Sequence, residues 1–174
     1  MENDMISFVE RARRGEKEAF AQLFLAEKEY LYKTAFLHSV NEEDALDLVQ
    51  ECILQCMLSI KKLKHPEYFR TWMTRILINC ARKEWGKKNR CAPEEDLEEW
   101  SPSNEGGVTS EEKMDLYQAI DTLPFLYRSI VVEKYFAGAK LEEIAQMLDM
   151  PLGTVKVYHG RAKKKLRELL KEEI

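Results

Sequence analysis

Apolar residues along this chain recur every three or four positions instead of every second one, which is the repeat of helices that bury one face. Asn3 or Asp4 is placed to cap a first short helix that Gly15 ends, and a longer helix follows to about His38. Its apolar face is Phe20, Leu23, Phe24, Tyr30, Leu31, Thr34 and Ala35, with an irregularity around Glu27. Asn41 caps a third helix whose first turn carries Glu42, Glu43 and Asp44, the sign of charge that a helix N-terminus favours. The periodicity is cleanest here. Ala45, Leu48, Val49, Cys52, Ile53, Cys56, Met57 and Ile60 form one stripe, and Asp47, Gln50, Glu51 and Leu54 occupy the other side. Pro66 opens a fourth helix with Phe69, Trp72, Met73, Ile76, Leu77, Cys80 and Ala81 at core spacing. Trp72 therefore reads as a core residue, and Trp85 at the helix end is placed either to pack or to stack. Ser110 caps a helix through about Thr122, and Pro124 starts the next. That one carries Phe125, Leu126, Ile130, Val131, Tyr135 and Phe136 and stops at Gly138. No strand-like alternation of useful length occurs, so the predicted fold class is all-α.

The stretch Leu141–Arg167 has the spacing of a helix-turn-helix that runs on into a lysine- and arginine-rich helix. Ala145 is the small residue that lets the second helix cross the first. Asp149 stands where the chain must turn sharply, and aspartate tolerates the positive φ that such turns use. Val155 and Tyr158 turn one face of the second helix inward. Thr154, Lys156, Val157, His159 and Arg161 then project outward as candidate groove contacts. A plain helical hairpin with a solvated charged end shares the periodicity, but the coincidence of small residue, turn position and basic second helix favours a DNA reader.

The net charge of −4 argues against a nucleic-acid binder only until its distribution is considered. From Lys61 to Arg90 there are ten Lys or Arg against two Glu; from Cys91 to Glu112 there are eight acids and no basic residue; from Gly153 to Lys171 there are seven basic residues against one Glu. Two basic blocks flanking an acidic spacer suit two contacts with one polyanion, although any charge run also fits a solvated face. The spacer holds Pro93, Pro102, Gly106 and Gly107 among acids and serines, with Trp100 its only large anchor. At 174 residues the chain therefore reads as two helical domains, residues 1–90 and 111–174, joined by a flexible acidic linker over residues 91–110.

Several chemistries find no support in the sequence. Cys52, Cys56, Cys80 and Cys91 lack zinc-site spacing; the first three fall on apolar stripes as buried thiols, and Cys91 is the one placed for exposure. No Gly-rich phosphate loop or nucleophile signature occurs, and His38, His65 and His159 share no evident site, so no catalytic residue, metal or cofactor is expected. With no long apolar run and an acidic start at Met1-Glu2-Asn3-Asp4, the expected location is cytoplasmic. On the fourth helix, by contrast, Arg75, Asn79 and Arg82 share a face with Lys83 beside them: two guanidinium forks, an ammonium and an amide. Such a set grips phosphates and reads base edges. The acidic face of the third helix reads by itself as solvated.

Taken together, Asp44–Glu51, Phe69–Ile76 with Asn79, Leu123-Pro124, Tyr135–Gly138, Glu142–Ala145 and Gly153–Lys156 resemble bacterial RNA polymerase sigma factors of the extracytoplasmic-function class, in order and over nearly the whole chain. The resemblance implies a sigma-two and a sigma-four domain, core RNA polymerase and promoter DNA as partners, and an anti-sigma factor, often membrane-bound in this class. It implies that Asp47, Gln50 and Glu51 dock on the clamp helices of the polymerase largest subunit. Arg75, Asn79, Arg82 and Lys83 would read and melt the minus-ten element. The turn Lys61–Glu67, with Lys62, Lys64, His65 and Glu67, would capture a base flipped from the nontemplate strand. Thr154, Lys156 and Arg161 match the helix that enters the major groove at the minus-thirty-five element. The chain departs from the family pattern at Val157-Tyr158-His159-Gly160, where Ser-Arg-Leu commonly follows the lysine, and at Pro66 in the base-capturing turn. A helix-turn-helix regulator working without core polymerase is the alternative, but it leaves the row Arg75, Asn79 and Arg82 without a purpose.

Overall fold

The computed structural model describes residues 2–88 and 111–171, and every regular element among them is helical. Helix α1 is Glu2–Arg13, α2 is Lys17–Leu37, α3 is Glu42–Ser59, α4 is Phe69–Lys88, α5 is Glu111–Asp121, α6 is Phe125–Val131, α7 is Leu141–Leu148 and α8 is Leu152–Lys171. Short 3₁₀ turns at Ile60–Lys62 and Pro66–Tyr68 connect α3 to α4, so Pro66 opens a turn of tighter helix before α4 begins at Phe69. The described residues form two compact units, one built mainly on α1–α4 and the other mainly on α5–α8. The predicted linker with Cys91 and Trp100, and the predicted cap Ser110, lie outside the described residues.

In the first unit Asn3 and Asp4 lie inside α1 and do not cap it, whereas the later signals act where they stand. Gly15 takes φ 95° and lets the chain reverse between α1 and α2. The Asp44 amide donates to Asn41 Oδ1 at 2.8 Å, capping α3. Val9, Leu23, Leu31, Ala45, Cys52, Cys56, Met73, Leu77 and Ile78 are fully or almost fully buried. Trp72 is only half-buried, its indole beside the Phe69 ring with centroids 5.9 Å apart. Met57, expected in the α3 stripe, is 56% exposed, because it lies about 100° around the helix from the buried Cys56, at the edge of the stripe.

The irregularity at Glu27 has a definite cause. Its carboxylate is buried at 3% exposure and accepts two hydrogen bonds from Arg70, Nε at 2.8 Å and Nη2 at 3.0 Å. The Arg70 guanidinium also lies over the Tyr30 ring, 4.9 Å from its centroid. Thr74 Oγ1 donates to the Arg70 carbonyl at 2.8 Å, which leaves the Tyr30 hydroxyl to donate to Thr74 Oγ1 at 2.7 Å. Phe24 meets Phe69 edge to face beside this network. Together these contacts fasten the first turns of α4 to α2.

In the second unit α6 packs against α8, and Ile130, Val131, Val132, Ile144, Val155 and Ala162 are buried at 2% exposure or less. The continuation of α6 is a π-helical turn, Val132–Phe136. The wider turn shifts the register, so Tyr135 and Phe136, expected on the buried face, are 55% and 43% exposed. Two buried charges also lie along this segment, Arg128 and Glu133. The Arg128 guanidinium donates to the Asp121 backbone carbonyl and stands 4.0 Å from the Asp121 carboxylate; burial lowers its pKa from the ordinary value.

Arg70→Ala strands the Glu27 carboxylate and is expected to lower the stability of the first unit by about 1.5–3 kcal/mol, read as a fall in the urea midpoint followed by tryptophan fluorescence. Burial pushes the Cys80 thiol up to about 11, and the hydrogen bond between the Cys52 and Cys56 sulfurs, 4.0 Å apart, together with burial raises Cys52 well above the usual thiol range. Since only the thiolate reacts, a Cys91→Ser protein should give no fast reaction with Ellman's reagent at about pH 8 and full reaction once denatured.

Candidate nucleic-acid interface

Helix α4 and the 3₁₀ turn that leads into it carry a continuous outward row. Tyr68, Trp72, Arg75, Asn79 and Arg82 follow one another at spacings of four and three, the repeat that places residues one above the next on a helix. Tyr68, Arg75 and Asn79 are exposed, Trp72 and Arg82 are half-buried, and Lys83 is exposed next to Arg82. The buried side of α4 (Met73, Leu77, Cys80 and Ala81) holds that row outward. Lys62, Lys64, His65, Tyr68, Trp72 and Arg75 line one concavity, which brings three of the predicted base-capture residues together with the first residue of the predicted minus-ten set. Glu67 stands apart, its Oε1 3.4 Å from His65 Nδ1. Tyr68 joins the site without having been predicted from the sequence; the signal for it was its position four residues before Trp72.

On α3, Asp47, Gln50 and Glu51 are exposed along one face, and Gln55 Nε2 donates to Glu51 Oε1 at 2.8 Å. Leu46, Leu54, Met57 and Leu58 are also exposed there, at 47%, 47%, 56% and 70%. The face is therefore acidic toward the N-terminus of α3 and apolar toward its end, a more adhesive surface than a solvated acidic helix requires.

The helix-turn-helix forms as the spacing predicts. The Lys140 amide donates to Glu143 Oε2 at 2.7 Å, one half of a capping box at the start of α7. Ile144, Ala145, Met147 and Leu148 are buried, Asp149 takes φ 54°, and the Met150 amide returns to the Ala145 carbonyl at 3.0 Å. Along α8, Val155 is fully buried and the Tyr158 ring meets Tyr127 edge to face at 5.5 Å. Lys156, Val157 and Arg161 are exposed and Thr154 is half-buried. His159 is placed differently. Two residues beyond Val157, it lies about 200° further around the helix. There it stacks on Tyr135 at 5.7 Å and shares a hydrogen bond with the tyrosine hydroxyl at 2.9 Å. Partial burial, then the charges of Lys163 and Lys134, lower its pKa from the ordinary value.

Comparison with known proteins agrees with this layout. The sequence pattern of sigma-70 region 2 matches residues 23–91, and that of sigma-70 region 4 matches residues 113–166. RNA polymerase sigma factor SigV of Bacillus subtilis is 36% identical over 152 residues, covering 84% of this chain and 89% of its own. The chain belongs to the extracytoplasmic-function class of RNA polymerase sigma factors. It is an alternative sigma factor acting with RNA polymerase. SigW of B. subtilis, an extracytoplasmic-function sigma factor, is 28% identical, with 94% of this chain and 95% of its own covered. The fold of this sigma factor is also that of CnrH, solved in complex with the cytosolic domain of CnrY. The TM-score is 0.75 at 23% identity, over 98% of this chain and 99% of that one. Sigma factor RpoE of Bartonella quintana, solved with the anti-sigma factor NepR, matches with a TM-score of 0.69 at 24% identity, over 87% of this chain and 96% of that one.

Because folding lowers the His159 pKa, the unfolded chain takes up the proton first as pH falls. The stability contribution of neutral His159 is thus complete above the ordinary histidine pKa and is lost below it. Thermal denaturation of the wild type is expected to show a lower Tm at about pH 5 than at about pH 7, with a smaller difference in His159→Gln.

Proposed function

We propose that this sigma factor directs core polymerase to promoters through two separate DNA contacts, residues 1–90 serving polymerase docking and the minus-ten element and residues 111–174 the minus-thirty-five element. The observation that carries this is the outward row Arg75, Asn79 and Arg82 on α4, which would have no purpose in a regulator that uses a helix-turn-helix alone. Lys83 adds charge to that row. Asp47, Gln50 and Glu51 dock on the clamp helices of the polymerase, supported by their shared exposure and the apolar residues beside them. Lys62, Lys64 and His65 surround the captured nontemplate base, and Glu67 acts on it only through its contact with His65. The concavity beside Tyr68 and Trp72 supports that role, since an extruded base needs stacking partners to offset a few kcal/mol of lost stacking. Thr154, Lys156, Val157 and Arg161 meet the major groove, and His159 acts from the flank by holding α8 to Tyr135. The chemistry of RNA synthesis belongs to the polymerase, and this chain contributes promoter choice and strand opening.

An anti-sigma factor is a further partner in this reading, supported by the solved relative whose complex contains one. Its surface would be the polymerase-docking face, and anchoring of that partner to the membrane would hold an otherwise cytoplasmic sigma factor there. Among the described residues no helix is long and apolar enough to cross a membrane.

Run-off transcription with core polymerase, this chain and fragmented genomic DNA tests the function directly. Discrete starts sharing two spaced upstream motifs are expected, whereas duplex binding without core and without starts would establish the regulator instead. Asn79→Ala is expected to reduce open-complex formation, read by permanganate reactivity of unpaired thymines, far more than it reduces binding to core polymerase. Equal loss of both would remove Asn79 from strand opening.

A further inference from the structure

Four consecutive residues of α8, Val157-Tyr158-His159-Gly160, depart from the pattern of the family, and the structure divides them into two pairs. Tyr158 and His159 are engaged within the second unit, Tyr158 against the Tyr127 ring and His159 against Tyr135. Neither side chain remains for a groove contact. Val157 and Gly160, three residues apart, share the opposite, exposed face. Val157 is 50% exposed, and a methyl group built on Gly160 would meet nothing within 4 Å. Lys156, Arg161 and Lys164 surround them, all exposed. The outward face of α8 is thus a ring of cations around an apolar spot with bare backbone beside it. Neither the β-branched valine nor the glycine favours the helix, so local helix stability does not account for this pair.

In the major groove one base-pair feature is apolar, the C5 methyl of thymine; every other distinguishing group there is a hydrogen-bond donor or acceptor. Cations that contact phosphate position the helix in the groove without carrying sequence information, so a preference for thymine has to come from an apolar contact. We propose that Val157 determines specificity at one position of the upstream promoter element by packing against a thymine C5 methyl group, with Gly160 leaving the space the methyl enters. This rests on the reading that α8 enters the major groove. It assigns a preference for an A·T pair, in one orientation, at the position facing Val157.

Deoxyuridine differs from thymine at this edge only by the missing methyl. The test therefore uses reconstituted holoenzyme and a promoter duplex recovered by run-off transcription, with each thymine of the upstream element, on either strand, replaced in turn by deoxyuridine. Competition binding is expected to find one position where the replacement weakens the wild-type complex about fourfold, the value of one buried methyl-sized group. The Val157→Ala holoenzyme should bind both duplexes equally. Val157 is exposed and alanine favours helix, so the variant keeps its fold, which circular dichroism verifies. If scrambling the upstream element abolishes binding but no single replacement matters, or Val157→Ala discriminates as the wild type does, the thymine assignment is overturned while the groove reading stands. If scrambling the whole element leaves binding unchanged, the groove reading fails and the assignment with it.

Discussion

A buried carboxylate governs the first unit. Glu27 sits in the middle of the apolar face of α2, where an unpaired charge would cost several kcal/mol of desolvation, and Arg70 supplies the paired forks that make the position tolerable. Because a guanidinium binds a carboxylate with defined planarity and spacing, the pair specifies where α4 begins and how it is rotated. Tyr30 and Thr74 extend the constraint by one helical turn. The outward row on α4 inherits its direction from that rotation.

The second unit is oriented by a different device. Helix α6 meets α8 through apolar contacts that define no unique rotation by themselves, and the π-helical turn at its end supplies the missing reference. The extra residue per turn throws Tyr135 outward, into reach of His159, while Val155 and Ala162 fill the core. One ring contact and one hydrogen bond then index α8 so that Val157 and Arg161 face away. The recognition surface of such a small unit depends on where its helices are clamped as much as on which residues they carry.

The two units share a division of labour between strong and weak helix faces. Helices α3 and α8 each bury a narrow stripe that includes small side chains, Ala45, Cys52 and Cys56 on α3 and Val155 and Ala162 on α8. Narrow stripes allow close packing and leave most of the circumference for charged groups. That accounts for a 174-residue chain presenting exposed acidic and basic faces at once.

Much of this was legible along the chain. Helical periodicity, the Asn41 cap, the reversal at Gly15 and the positive φ at Asp149 are local, set by residues that touch their own neighbours, and all appear where the spacing puts them. The family could be read because its motifs are combinations of such local features in order. What periodicity missed were the nonlocal terms. Glu27 broke an apolar pattern for a reason lying 43 residues away in Arg70. Met57 left its stripe because it stands at the edge of it, where exposure depends on how far the neighbouring helices reach around α3. Tyr135 and Phe136 left theirs because a π turn changes the repeat on which the pattern depends. His159 was drawn from the outward set by a partner 24 residues distant. The sequence by itself determined which helices form and which blocks of charge they carry, since those follow from contacts within a turn or two. Only the tertiary structure decided how each helix is rotated, because rotation depends on pairings between segments far apart in the chain.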